Sequence, residues 1–183
     1  IQIQNKAAMH SPLPVRIYDV FFDSRFVYIV MEYVPGVTLS EWMSASNGGV
    51  PEDIAISVVQ QITRCILILH QHKIVHRDIK ADNCLIELDA DGKPGNVRLI
   101  DFGFAEVYRE GCGTSMTNFC SGFLGTASYM APEIGSFEQY GYPVDLFALG
   151  VLVHLLLLRV YPFDSKSLIK TLDLIREGNT SLL

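Results

Sequence analysis

The sequence lacks an excess of positive charge, the pattern of a signal peptide in its first residues and an uninterrupted apolar run of membrane-spanning length. Fourteen Lys and Arg residues face twenty Asp and Glu residues, for a formal net charge of −6. No general positive field therefore attracts nucleic acid or an anionic membrane. The N-terminus has no basic segment followed by an apolar run. The most apolar stretch, 146–158, is interrupted by Gly150 and His154 and is shorter than the ~20 residues of a span. We expect neither nucleic acid nor a membrane span.

The four cysteines include no C-x-x-C pair, and the chain is too long to depend on disulfides for its stability. We expect reduced thiols and an intracellular location, cytoplasmic, nuclear or both. Hydrophobic residues make up 49% of the chain and charged residues 19%. That composition excludes a disordered or collagen-like chain. The length of 183 residues fits one domain, or one domain plus part of another.

Hydrophobic patterning predicts strands and helices in sequence. Residues 1–9 are predicted to end a helix, and 15–22 with 26–34 to form a β-hairpin around the turn residues 23–25. Further predicted helices cover 39–44, 51 to about 72, a buried segment from 144, and 165–176. A second hairpin is predicted from 84–88 and 96–100, and a long, functional loop from 106–124.

A polar run lies between the long helix and the second predicted hairpin. It reads H-R-D-I-K-A-D-N over residues 76–83, and the far strand of the hairpin leads directly into D-F-G at 101–103. The hairpin therefore places Asn83 near Asp101. Two oxygen ligands of this kind suit Mg²⁺, which takes few protein ligands and retains phosphate and water ligands.

With A-P-E at 131–133, these motifs stand in the order found in eukaryotic-type protein kinases, which the sequence resembles. Residues 31–34 resemble the gatekeeper and hinge of that family. The sequence from the hinge to the last predicted helix is similar to that of the calcium/calmodulin-dependent kinase group. The resemblance implies an α+β, kinase-like fold. Residues 1–34 would be a remnant of the β-rich N-lobe, and 35–183 the helical C-lobe without its last helices.

The resemblance also implies catalytic roles. Asp78 would accept or orient the proton of the substrate hydroxyl, and Lys80 would compensate charge on the transferred phosphoryl group. Asn83 and Asp101 would hold Mg²⁺ against the phosphates of ATP. Thr126 matches the threonine that bonds the catalytic aspartate and lysine. Because Lys80 and Thr126 are features of serine/threonine kinases, we expect a protein substrate with a Ser or Thr acceptor.

For ATP itself, the resemblance assigns backbone contacts with adenine to Glu32 and Val34 and apolar walls to Met31 and Leu85. The complete set expected to contact the nucleotide and its metal is Met31, Glu32, Val34, Lys80, Asp82, Asn83, Leu85 and Asp101.

Other residues are implied to support the site. Asp145 should accept backbone hydrogen bonds from the catalytic loop, while His76 and Phe102 should stack with Ile17 in the interior. Arg77 should pair with a phosphate that an upstream kinase adds to the segment 101–133. The candidate acceptors are Thr114, Ser115, Thr117 and Ser121, with Thr117 or Ser121 favoured.

The sequence contains no glycine-rich phosphate loop, no V-A-I-K-like lysine strand and no carboxylate within residues 1–9. The resemblance also implies further C-terminal helices, with an arginine that would pair with Glu133. We therefore expect a kinase core clipped at both ends, inactive alone and with exposed apolar surface. Two alternatives remain open. The first is a pseudokinase or scaffold that retains the fold, which the intact catalytic-loop residues disfavour. The second is a small-molecule phosphotransferase, a class that usually lacks the A-P-E region.

Overall fold

The computed structural model describes residues 1–46, 49–108, 127–135, 140–165 and 167–180. The described helices are α1 (Gln2–His10), α2 (Leu39–Ala45), α3 (Glu52–Gln71), α4 (Pro132–Gly135), α5 (Pro143–Leu158) and α6 (Leu168–Glu177). The described strands are β1 (Ile17–Phe22), β2 (Val27–Met31), β3 (Gly36–Thr38), β4 (Ile74–Val75), β5 (Cys84–Leu88), β6 (Pro94–Leu99) and β7 (Glu106–Val107). Single 3₁₀ turns occur at Ala81–Asn83 and Ala127–Tyr129.

The predicted first hairpin is confirmed as the antiparallel pair β1 and β2. Asp23 closes its turn because one carboxylate oxygen accepts the N–H groups of Arg25 and Phe26, both at 2.7 Å. β2 ends at Met31 rather than at residue 34. Every residue of β2 is exposed, and β1 also presents exposed aromatic side chains. The expected exposed apolar surface therefore exists, and it is this hairpin.

Helix α1 is attached to the first hairpin through two amide side chains. The Gln4 Nε2 atom donates to the Val15 carbonyl at 2.7 Å. Asn5 exchanges two hydrogen bonds with the backbone of Ile17, each 3.0 Å long. The helix ends at His10, one residue beyond the predicted end, since Ser11 is extended and Pro12 follows it. These contacts fix the hairpin relative to α1.

The main core lies where α3 packs against α5 and the sheet of β5 and β6. α3 presents its buried side chains at helical spacing. α5 is apolar on nearly all sides, but it is buried along one side, which includes Leu149, Leu152 and Leu156, and Leu146 on the other side is exposed. α3 is also long and apolar enough to cross a membrane by length and composition alone. A helix in the core of a protein can have the same length and composition, so this property alone does not indicate a membrane span.

A three-stranded antiparallel sheet, ordered β3, β5, β6, confirms the second predicted hairpin. Sequence patterning missed β3, which begins at Gly36. Gly36 approaches β5 so closely that a Cβ atom there would lie 2.0 Å from the Ile86 carbonyl oxygen. Only glycine fits at this position.

Other predicted boundaries were also wrong. The loop predicted from residue 106 starts later, because Glu106–Val107 forms β7 and pairs with β4. The last helix begins at Leu168 rather than at residue 165. Residues 109–124 of the predicted loop lie outside the described residues.

Candidate active site

The β5–β6 hairpin brings Asn83 and Asp101 to the same end of the sheet, as the sequence predicted. Cys84 pairs with Leu99, and the next N–H group, that of Ile100, donates to the Asn83 carbonyl at 2.9 Å. Asp101 then turns into a left-handed conformation with φ of 59° and stays exposed. Non-glycine residues in that region are uncommon, and they are enriched at functional sites.

Asp78 lies at the centre of the site with only 3% of its surface exposed. Its Oδ2 atom accepts hydrogen bonds from Lys80 Nζ at 2.8 Å and from Asn83 Nδ2 at 2.7 Å. Its buried Oδ1 atom has no hydrogen-bond partner among the described residues. A buried carboxylate oxygen without a partner is rare in proteins. This atom can accept a hydrogen bond from a substrate hydroxyl.

Asn83 and Asp101 fit a divalent cation by the chemistry of their donor atoms. The Asn83 Nδ2 atom donates to both the backbone carbonyl and the carboxylate of Asp78, so the amide Oδ1 atom is available as a ligand. Asp101 accepts the Gly103 N–H through Oδ1 at 2.9 Å, which leaves Oδ2. No cluster of three or more His, Cys, Asp or Glu residues occurs among the described residues. A pair of oxygen ligands suits Mg²⁺ better than Zn²⁺ or Cu²⁺, which favour nitrogen and sulfur ligands.

Asp145, at the start of α5, anchors the loop that carries Asp78, as expected. Its fully buried carboxylate accepts the backbone N–H groups of His76 at 2.9 Å and Arg77 at 2.8 Å. The His70 Nε2 atom lies 2.9 Å from the same side chain. The core helix therefore fixes the two residues that precede Asp78.

His76 is structural, as predicted. Its ring contacts that of Phe102 edge to face, with 4.5 Å between ring centroids. Burial lowers the pKa of His76, although the carboxylates of Asp145, Asp78 and Asp101 oppose that shift. The neutral form also lets Nδ1 accept the Asp78 N–H at 3.3 Å. Ile17 is buried but does not belong to the core cluster of Phe102, so its membership of the stack stays a prediction.

The residues predicted to contact adenine occupy the end of β2 and the segment after it. Among the described residues, neither the Glu32 carbonyl nor the Val34 N–H makes a backbone hydrogen bond. Met31 is exposed, while Leu85 is half-buried on β5. Asp82 is exposed and accepts a hydrogen bond from Ser40 Oγ at 2.9 Å. Their contacts with a nucleotide stay predictions.

Arg98 connects Leu85 on β5 with Glu32 after β2, and sequence patterning did not identify it as a residue of the site. It pairs with Leu85 in the sheet register, and its guanidinium lies 2.6 Å from the Glu32 carboxylate. This hydrogen bond is the main reason why the pKa of Glu32 is lowered. The sequence gives one signal for Arg98, which is a charged residue between Val97 and Leu99 in a predicted strand; both neighbours are buried in the structure.

Thr126 and the four candidate phosphate acceptors lie outside the described residues. The two described cysteines, Cys65 and Cys84, are buried free thiols.

Known proteins resemble this chain over most of its length. The model of the protein kinase domain matches residues 1–180. The chain is 33% identical over 177 residues to the serine/threonine-protein kinase cds1 of Schizosaccharomyces pombe, covering 93% of the chain and 36% of that protein. It is 36% identical over 166 residues to the serine/threonine-protein kinase PrkC of Bacillus subtilis, covering 91% and 24%.

An Arabidopsis thaliana protein, the SNF1-related protein kinase catalytic subunit alpha KIN12, is 32% identical over 174 residues and is covered to 33% of its length. The chain thus spans about a quarter to a third of the lengths of these relatives. The match to the domain covers nearly the whole sequence, and the catalytic-loop residues lie in one site. The chain belongs to the protein kinase family, of the eukaryotic type.

Proposed function

We propose that this chain is part of a protein serine/threonine kinase domain, which transfers the γ-phosphate of ATP to a Ser or Thr hydroxyl in a protein substrate and depends on Mg²⁺. The observation that carries the proposal is the environment of Asp78. Lys80 and Asn83 hold one of its carboxylate oxygens, while the other is buried with no partner among the described residues.

The proposed mechanism assigns orientation and charge to separate residues. The free Oδ1 atom of Asp78 accepts the hydroxyl hydrogen and directs the substrate oxygen toward the phosphoryl group. Lys80 neutralises the Asp78 carboxylate and stands beside the path of the transferred group. When bound at Asn83 and Asp101, Mg²⁺ would supply positive charge to the phosphate oxygens.

The serine/threonine preference rests on Lys80 and on the relatives. The 2.8 Å distance between Lys80 Nζ and Asp78 Oδ2 places a cation directly at the proposed base. Two of the relatives cited above are named serine/threonine-protein kinases. A scaffold role is the alternative, but no arrangement among the described residues favours it over the catalytic one.

The test is transfer of labelled γ-phosphate from Mg·ATP to a generic basic protein, followed by phosphoamino-acid analysis. It uses the natural protein that contains this sequence beside the 183-residue chain. The Asp101→Asn variant removes one proposed metal ligand, and Asp173→Asn on the exposed face of α6 is the matched control.

We expect the natural protein and its Asp173→Asn variant to label serine or threonine, and Asp101→Asn to lose transfer. The 183-residue chain alone should be inactive. Labelled tyrosine, or full activity of the Asp101→Asn variant, would contradict the proposal. Failure of the natural protein to bind Mg·ATP would favour the scaffold.

A further inference from the structure

Arg77 is a buried cation beside the proposed base. Only 4% of its side chain is exposed. Its Nε atom donates to the Phe104 carbonyl, and its Nη1 atom lies 2.8 Å from Glu106 Oε2. A buried guanidinium requires an anionic partner, because removal of an uncompensated charge from water is strongly unfavourable. Glu106 supplies such a partner.

Glu106 is held in place by the short ladder of β4 and β7. Val75 pairs with Glu106 and Ile74 with Val107 in antiparallel register. The ladder therefore places the Glu106 carboxylate next to Arg77, which lies two positions after the end of β4. The Glu106 side chain remains 45% exposed, whereas the guanidinium that it contacts is enclosed.

The ion pair joins the two segments that carry the proposed catalytic groups. Arg77 immediately precedes Asp78, and its backbone has a left-handed φ of 67° that the Asp145 carboxylate stabilises. Glu106 lies on the strand that follows Asp101. A contact between Arg77 and Glu106 thus restrains the position of Asp78 relative to Asp101.

The family resemblance predicts a phosphate opposite Arg77. A phosphate beside an arginine acts through its negative charge and its acceptor oxygens. The Glu106 carboxylate already provides both to Arg77, in a charge-assisted hydrogen bond. A phosphate entering the same place would meet the Glu106 charge and would have to displace it from a guanidinium with little exposed surface.

We propose that Glu106 is a built-in anionic partner of Arg77, a positioning residue that holds the catalytic loop against the segment after Asp101 without phosphorylation. Phosphoryl transfer should then be independent of phosphate on the chain. The inference rests on the proposed kinase function and adds a mode of regulation to it.

The test uses the natural protein after phosphatase treatment, with intact mass confirming that no phosphate remains. Glu106→Gln removes the charge with little change in shape, and Glu106→Asp retains it. Glu177→Gln, at the exposed end of α6, is the matched control. The turnover number and the KM for ATP are measured for each protein.

We expect treated and untreated wild type to agree within about twofold, and Glu106→Gln to lose about tenfold or more in turnover number. Glu106→Asp should retain most of the activity, and Glu177→Gln all of it. Wild-type activity in Glu106→Gln, or a loss of about tenfold on phosphatase treatment of the wild type, would overturn the inference.

A double-variant cycle separates this inference from the proposed function. The midpoint of thermal unfolding is measured for Glu106→Gln, Arg77→Met and the double variant. If the two side chains form a pair, the double variant loses less than the sum of the single losses. Strictly additive losses would overturn the pairing. An inactive wild type with a clear coupling would defeat the kinase function while leaving the pairing intact.

Discussion

Replacement of Asp145 should destabilise the protein in a graded way. Its carboxylate accepts two backbone N–H groups, from His76 at 2.9 Å and Arg77 at 2.8 Å, in a fully buried position. A hydrogen bond to a charged group contributes about 1.5–3 kcal/mol. Asparagine retains one acceptor oxygen and turns an NH₂ group toward the other donor, so Asp145→Asn should lose about 1.5–3 kcal/mol. Asp145→Ala removes both acceptors and should lose about 3–6 kcal/mol.

The assay is equilibrium unfolding in urea, with Asp173→Asn as the matched control. Asp173 is exposed on α6 and approaches Arg176 only at 3.9 Å, so its replacement should change the free energy of unfolding by less than about 0.5 kcal/mol. The reasoning is refuted if Asp145→Asn is as stable as the wild type, or if Asp145→Ala is no less stable than Asp145→Asn.

Three further predictions concern the interior. Because burial lowers the pKa of His76 below its usual 6.5, the unfolded chain takes up a proton that the folded chain does not. The free energy of unfolding should therefore fall as the pH drops below about 6.5, by up to about 1.4 kcal/mol per pH unit from this group. The His76→Gln variant should show a smaller slope when urea unfolding is measured from pH 7.5 to 5. An unchanged slope would contradict the role of His76. Leu152→Ala in α5 should lose about 2–5 kcal/mol of unfolding free energy, while Leu146→Ala on the exposed side of the same helix should lose less than about 1 kcal/mol, and equal losses would count against the assigned core. Burial raises the pKa of Cys65 to about 12 and also raises the pKa of Cys84. In a protein with Cys112 and Cys120 replaced by Ser, an aromatic disulfide reagent should therefore label neither thiol until denaturant is added. Rapid labelling of the native protein would show that these thiols are accessible.

The sequence predicted the parts of the fold that depend on extended periodic patterns. α3 and α5 are long, and their apolar residues either repeat at helical spacing or cover the whole helix surface. The two hairpins have alternating or aromatic strands with polar turns between them. The catalytic loop could be placed because the β5–β6 hairpin fixes where Asn83 and Asp101 meet.

The missed elements have too few residues to show a period. β3 has three residues, and β4 and β7 have two each. They form because tertiary packing brings their backbones together, as the close approach of Gly36 to β5 shows. The pairing of Glu106 with Arg77 depends on one of these short ladders, so local sequence could not reveal it.

The partners of long polar side chains were equally hidden. Arg98 reaches Glu32 and Glu87 from β6, and the three residues are far apart in the chain or on different strands. Sequence patterning could place Arg98 on a strand but could not choose its partner among the acidic residues. Motif order identified the site, whereas the structure supplied the contacts that hold it together.

The most direct test of the account is the single-turnover rate of phosphoryl transfer by the natural protein and its Asp78→Asn variant, with Mg·ATP affinity measured for both. We predict a loss of about 10²-fold or more in the rate, because the variant lacks the proposed base, with affinity for Mg·ATP and urea stability nearly unchanged. Transfer at the wild-type rate by Asp78→Asn would contradict the central assignment.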